Sequence, residues 1–85
     1  MLFTLSYDLR APGRNYRELY SELARLHATH VLESLWTFEG TGNAQAWRVH
    51  FLQFIDDGDG LFVCDLGNWS GWRLLEMPPG GRISG

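Results

Sequence analysis

Asp8 is the residue whose type and position in this chain are best suited to chemistry. It ends an alternating apolar run, residues 2–8, and a loop follows it. A strand here would carry Phe3, Leu5 and Tyr7 on one face and Thr4, Ser6 and Asp8 on the other. A carboxylate at the end of a central strand is held rigidly enough to bind a metal ion or to act in catalysis. An Asp in this place is also typical of a residue that starts a turn.

Arginine residues form the second candidate site, which would bind phosphate. All seven basic residues are Arg, and Arg10, Arg14, Arg17 and Arg25 lie in the loop and predicted helix that follow Asp8. A guanidinium group pairs with phosphate through two parallel hydrogen bonds, so these residues could form a local basic patch. A GC-rich coding bias would produce the same preference for Arg. The formal net charge of −3 argues against non-specific nucleic-acid binding through bulk charge.

Two further groups have metal-ligating side chains but lack the spacing of a known site. Asp56, Asp57 and Asp59 suggest a calcium loop, yet the later ligands and the closing Glu are missing, so a turn is predicted. His27 and His30 could suit zinc, but no recognisable set of further ligands accompanies them. They are therefore expected at a helix end or on the surface.

The composition predicts one small folded domain. Hydrophobic residues make up 45% and aromatic residues 14% of the 85-residue chain, which argues against a disordered protein. So much apolar surface on a small domain favours a homodimer. The single cysteine, Cys64, lies in an apolar run and is typical of a small core residue in a reducing compartment. No segment reaches the length of a membrane span, so we expect a cytoplasmic protein with no membrane partner.

Hydrophobic periodicity predicts the first half of the element order. After the opening strand, a helix is expected over residues 15–27, with Asn15 as its cap and Glu22 on its outward face. Residues 29–39 favour two short strands or one bent strand, because positions 33–34 interrupt the apolar pattern. The interruption is either a bulge or a tight turn.

The second half of the chain continues the alternation of helix and strand. Asn43 can cap a second helix, on which His50 is expected to face solvent. Residues 61–66 form an apolar run that predicts a strand lying centrally or covered on both faces. Residues 69–75 could form a last short strand, and residues 77–85 are expected to be an irregular tail.

This element order predicts a ferredoxin-like α+β fold, βαββαβ, with an antiparallel sheet and two helices on one face. The domain is expected to span residues 1–76, followed by the tail at 77–85. In that layout the first strand is central, and Thr4, Ser6 and Asp8 look out of the open sheet face. A second copy could cover this bare face, which would put Asp8 at or near a dimer seam.

Short motifs along the chain match a known family. In chain order they are Leu5-Ser6-Tyr7-Asp8-Leu9, Pro12-Gly13, Tyr16, Leu32-Glu33-Ser34-Leu35-Trp36, Asp56, Asp59, residues 61–66, Gly67 and Trp69. Through them the chain resembles the CRISPR-associated protein 2 superfamily, and more closely its stand-alone SinR-like branch. Virulence-associated protein D is a further relative of this superfamily. The match runs from residue 2 to residue 72.

The resemblance implies a homodimer in which the Asp that ends the first strand of each subunit binds a divalent metal ion, usually magnesium. The matching position is Asp8, which would be the metal ligand and catalytic residue of an endoribonuclease or nuclease acting on RNA or DNA. Arg10 and Arg14 could bind the substrate phosphate. Other members of the superfamily act without nuclease chemistry. The alternative is therefore a non-catalytic dimeric scaffold that binds a protein partner, and whether the chain is an enzyme stays open.

Overall fold

The chain forms a four-stranded antiparallel sheet with two helices. A computed structural model describes residues 1–11, 13 and 15–78. In chain order the elements are β1 (Leu2–Asp8), α1 (Arg17–Arg25), β2 (Thr29–Leu32), β3 (Leu35–Glu39), α2 (Ala44–Leu52) and β4 (Gly60–Asp65). The sheet order is β2-β3-β1-β4. This α+β architecture confirms the predicted order of elements and is compatible with a ferredoxin-like layout.

β1 separates the core from the opposite face of the sheet. Its residues Phe3, Leu5 and Tyr7 are buried, as predicted. The core draws on the sheet, on both helices and on the turn after α2: Phe3, Leu5, Tyr7, Leu19, Leu23, Phe38, Phe51 and Ile55. Both helices therefore pack on the same face of the sheet. The opposite face, called the outer face below, carries the other residues of β1.

The two helices begin differently. Asn43 caps α2 as predicted, because its Oδ1 accepts a 2.8 Å hydrogen bond from the Ala46 N–H. α1 begins two residues later than the predicted start, and Tyr16 occupies the cap position, where its side chain makes no capping hydrogen bond to the helix. Asn15 still contributes, since its Oδ1 accepts a 2.9 Å hydrogen bond from the Arg17 N–H. One of the otherwise unpaired N–H groups of the first turn is satisfied in this way.

The strands agree with expectation at one point and differ from it at another. β2 and β3 are separate strands joined by a tight turn at Glu33 and Ser34, and a bulge disturbs their register between His30 and Leu32. Within the described residues β4 pairs with β1 alone, so of the two alternatives predicted for residues 61–66 the central position is wrong and cover on both faces holds in part. Its apolar pattern instead reflects inward packing on the core and partial cover on the outer face.

Residues 66–78, called the C-terminal segment below, cross the outer face without forming a strand. The predicted last strand at 69–75 is therefore wrong. Backbone hydrogen bonds join the Leu66 N–H to the Leu2 carbonyl at 2.8 Å and the Leu75 N–H to the Val31 carbonyl at 2.9 Å. The outer face is thus covered over part of its area, and Thr4 is buried there. Residues 79–85 of the predicted tail lie outside the described residues.

A buried carboxylate joins the two helices. Glu22 of α1 is only 8% exposed. It accepts two hydrogen bonds of 2.6 Å from Arg25 and one of 2.5 Å from His50 of α2. The expectation that Glu22 faces solvent is therefore wrong. His50 is 32% exposed and faces solvent only in part, because it contacts Glu22 across the seam between the helices. The hydrogen bonds from Arg25, aided by His50, lower the pKa of Glu22 to about 2.

Glu22 makes the fold sensitive to acid. Its pKa falls from an ordinary value of 4.5 to about 2 in the folded state. The charged form therefore stabilises the fold above pH 4.5, and this contribution is lost as the pH falls toward 2. Glu22→Gln is expected to lower the free energy of unfolding at neutral pH by about 2 kcal/mol and to flatten its dependence on pH in this window. Urea denaturation at a series of pH values measures both effects.

The matched control is Glu18→Gln, because Glu18 is exposed on the same helix. This control should reproduce the wild-type pH dependence. A Glu22→Gln variant with the wild-type slope between pH 4.5 and 2 would contradict the assignment.

Candidate functional site

Asp8 lies at the end of a rigid strand and faces solvent. It is the last residue of β1, stands opposite Gly60 of β4, and projects from the outer face. Its side chain is 69% exposed. Because β1 is held on both sides by β3 and β4, the position of the carboxylate is set by the sheet and not by the loop that follows.

Arg10 forms an ion pair with Asp8. Its Nε donates a 2.9 Å hydrogen bond to Asp8 Oδ2, and its Nη1 donates a 3.0 Å hydrogen bond to the Gly58 carbonyl. The structure therefore brings together two of the predicted site residues, but it places them in an ion pair with each other. Arg14, the third predicted site residue, lies outside the described residues.

The Asp59 carboxylate anchors the loop that follows β1. It accepts hydrogen bonds of 2.6 Å from the Arg10 N–H, 2.8 Å from the Tyr16 hydroxyl and 2.8 Å from the Asp56 N–H. The predicted turn in this region is confirmed by the Asp59 N–H, which donates a 3.0 Å hydrogen bond to the Asp56 carbonyl. Burial and the Asp59 carboxylate raise the pKa of the Tyr16 hydroxyl, which keeps it a donor at neutral pH. Asp59 thus positions Arg10, a role that the sequence pattern did not reveal.

Glu33 is a second acid near the end of β1. It lines a shallow depression with Asp8, Tyr20 and Ser34. The arrangement follows from the pairing of β1 with β3, because Ser6 stands opposite Leu35 and the preceding turn then lies beside Asp8. Sequence reasoning missed Glu33. The signal was available, since the ferredoxin-like layout already implied this pairing.

Tyr7 supports this end of the sheet from inside. Its hydroxyl accepts a 3.0 Å hydrogen bond from the Trp36 indole N–H and donates a 3.3 Å hydrogen bond to the Glu33 carbonyl. Burial raises the pKa of Tyr7 to about 12. The hydroxyl is therefore neutral at physiological pH and acts as a structural link between β1, β3 and the turn at Glu33.

The metal-ligating residues do not converge within one chain. In residues 1–11, 13 and 15–78, no group of three or more His, Cys, Asp or Glu side chains could hold a metal ion. His27 terminates α1 with a positive φ of 54°, and the His30 ring stacks on Trp36 with 4.0 Å between ring centroids. Asp8 would therefore need ligands from solvent, from a substrate or from a second copy of the chain.

Besides the pair Leu2 and Glu39 at one end, the outer face carries side chains in three cross-strand rows. The first row is Thr29, Thr37, Thr4 and Cys64, and the last three of these lie beneath the C-terminal segment. The second row is Leu32, Leu35, Ser6 and Phe62. The third contains Asp8 and Gly60. Phe62 is 64% exposed, so the second row forms an apolar surface beside Asp8.

Comparison with known proteins leaves the family open. No protein-family model matches the chain, and no solved structure matches it. None of the helices in the described part of the chain is long and apolar enough to cross a membrane. Function is therefore inferred from the geometry of the chain itself.

The Asp59 network predicts a local loss of order when its carboxylate is removed. Asp59→Ala would leave the N–H groups of Arg10 and Asp56 without this acceptor, so the free energy of unfolding is expected to fall by about 2 kcal/mol. The Arg10 amide should also exchange faster with deuterium than in the wild type. Urea denaturation and hydrogen exchange followed by NMR measure the two effects. Asp57→Ala, at an exposed position in the same turn, should change neither, and unaltered exchange of Arg10 in Asp59→Ala would contradict the assignment.

Proposed function

We propose that the chain is a non-catalytic homodimeric interaction module with a ferredoxin-like fold, similar to the stand-alone relatives of CRISPR-associated protein 2. The observation that carries this proposal is the second row of the outer face, which ends in the exposed Phe62. Three of the four residues in this row, Leu32, Leu35 and Phe62, are apolar, and an apolar surface beside a polar edge is typical of one that a partner covers. The first partner is a second copy of the chain, and the assembled dimer then binds a protein.

Several features support a dimer through this surface. Leu32 and Phe62 lie at opposite ends of the second row and are 43% and 64% exposed. Since a two-fold axis makes the same surface face itself, two copies would bury both rows against each other. The C-terminal segment adds further exposed apolar groups, including Trp72 at 79% exposure and Leu75 at 62%. Exposed aromatic residues of this kind are frequent energetic centres of protein interfaces.

The charge arrangement at Asp8 supports an interaction role over catalysis. The Arg10 guanidinium already balances the Asp8 carboxylate at 2.9 Å, and it is held by the Gly58 carbonyl at the same time. A phosphate ligand would meet a guanidinium whose charge is already balanced by the Asp8 carboxylate. The net charge of −3 would further oppose the approach of a nucleic acid.

A magnesium-dependent endoribonuclease or nuclease is the second candidate function. The observation that favours it is the position of Asp8, exposed at the end of a rigid strand and next to the apolar row. Pairing of two copies through that row could bring two Asp8 carboxylates together. Magnesium commonly uses one or two carboxylates with water and substrate phosphate, so this donor set fits the ion. The bound ion would stabilise negative charge on the phosphate, while Asp8 would hold it and Arg10 would be released to contact the substrate.

Phe62→Glu tests the dimer. A charge within the proposed apolar contact carries an unpaired desolvation cost, so this variant is expected to be monomeric where the wild type is dimeric. Analytical ultracentrifugation over a range of concentrations measures the difference. Val49→Glu changes an exposed apolar residue of α2 and should remain dimeric. A wild type that stays monomeric at every concentration, or a Phe62→Glu variant that stays dimeric, would refute the proposed surface.

Cleavage assays separate the two candidate functions. Pure wild type, Asp8→Ala and Asp65→Ala are incubated with RNA and with DNA, with and without magnesium. The interaction module predicts no cleavage by any of them. Magnesium-dependent cleavage that Asp8→Ala lacks and Asp65→Ala retains would establish the nuclease instead. Asp65 is a matched control because it is an exposed carboxylate at the other end of β4.

A further inference from the structure

A cavity of about 250 Å³ lies between the outer face and the C-terminal segment. Its walls are almost entirely apolar, with no charged side chain among the residues that line it: Thr4, Val31, Leu32, Leu35, Thr37, Cys64, Leu66, Trp69, Ser70, Leu74 and Pro78. The cavity has a floor built by the sheet and a roof built by the C-terminal segment. It is therefore separate from Asp8, whose surroundings are charged.

The floor is the first cross-strand row of the outer face. Thr37, Thr4 and Cys64 stand side by side on β3, β1 and β4. These side chains are small, whereas Trp69 and Leu74 above them are large. Space remains between the two layers because the small residues do not reach the roof.

Two hydroxyl groups in the floor lack a protein partner. Thr4 is 8% exposed and Thr37 is 1% exposed. Among the described residues, neither hydroxyl oxygen has a hydrogen-bond partner. Burial of an unpaired hydroxyl costs free energy, and valine has the same shape without that cost. Threonine at both positions is thus better suited to binding a polar group than to packing alone.

We propose that this cavity binds a small neutral molecule, with a single apolar ring or short chain and one hydroxyl or carbonyl group. An apolar cavity of about 150 Å³ is known to hold benzene, so the larger volume here suits a substituted ring. The apolar walls favour the ring, and a turn about one side-chain torsion would direct a Thr hydroxyl to its polar group. An ionised ligand is excluded because the cavity offers no opposite charge. This inference does not depend on the dimer or on Asp8.

The probes are p-cresol, toluene and benzoate, which share a ring and differ in their polar group. Titration of the full chain is followed by NMR of the backbone amides and by the rate at which Cys64, the sole cysteine, reacts with a thiol reagent. We expect p-cresol to bind more tightly than toluene, to shift the amides of Thr4, Thr37 and Cys64, and to slow the thiol reaction. Benzoate should not bind.

Two variants test the role of the hydroxyls. The double variant Thr4→Val/Thr37→Val should bind p-cresol about tenfold more weakly, retain its affinity for toluene, and unfold at a higher temperature than the wild type. The double variant Thr4→Ser/Thr37→Ser keeps both hydroxyls and should retain the preference for p-cresol. The rise in unfolding temperature, measured by circular dichroism, also verifies that the valine variant folds.

Four results would overturn the proposal. The first is absence of binding by both p-cresol and toluene in the wild type. The second is an equal affinity of the wild type and the valine variant for p-cresol. The third is binding of benzoate at the same amides with comparable affinity. Chemical-shift changes confined to Phe62 or Asp8 would place the ligand on the exposed part of the outer face and would also refute the cavity.

Discussion

The central strand β1 pairs with two neighbouring strands and packs beneath two helices at once, and the rest of the molecule depends on this arrangement. Its backbone pairs with β3 and β4, while Phe3, Leu5 and Tyr7 are buried beneath both helices. Because side chains alternate along a strand, this burial sends Thr4, Ser6 and Asp8 to the outer face. A register shift of one residue would expose the aromatic core and bury the acid, so the arrangement has a single stable register.

The register of β1 determines which residues lie on the outer face. The C-terminal segment covers one part of this face and leaves another part exposed. It lies over most of the threonine row and over part of Leu32 and Leu35, and it leaves Phe62 exposed. Under the segment, each unpaired hydroxyl of Thr4 and Thr37 costs about 1–3 kcal/mol relative to a satisfied group. A domain of this size has only about 5–15 kcal/mol of net stability. The two threonines therefore lower the stability of the fold considerably. The proposed ligand would supply the hydrogen-bond partner that a hydroxyl lacks.

At the end of β1, electrostatics decide what Asp8 can do. Arg10 is fixed by its backbone bond to Asp59 and by its side-chain bonds to Asp8 and Gly58. Any cation at Asp8 must compete with a guanidinium that the loop already holds in place. The loop geometry that holds Arg10 against Asp8 therefore also opposes the binding of a metal ion at Asp8. For this reason we propose an interaction role before a catalytic one.

The sequence by itself determined the local features of the fold. Its periodicity predicted the two faces of β1, the element order, the cap at Asn43 and the turn near Asp59. Each of these depends on residues within a few positions of one another. The resemblance to a family singled out Asp8, whose strand position the structure bears out and whose chemistry remains a proposal.

Tertiary structure alone decided the contacts between distant parts of the chain. Glu22 and His50 are polar residues that a helical pattern assigns to solvent, yet Glu22 is buried and His50 half-buried because the two helices bring them together. The pairing of β1 with β3 put Glu33 beside Asp8, and the C-terminal segment converted a bare face into a cavity. A short window of sequence shows which side of an element is apolar. It does not show which distant group will contact the polar side.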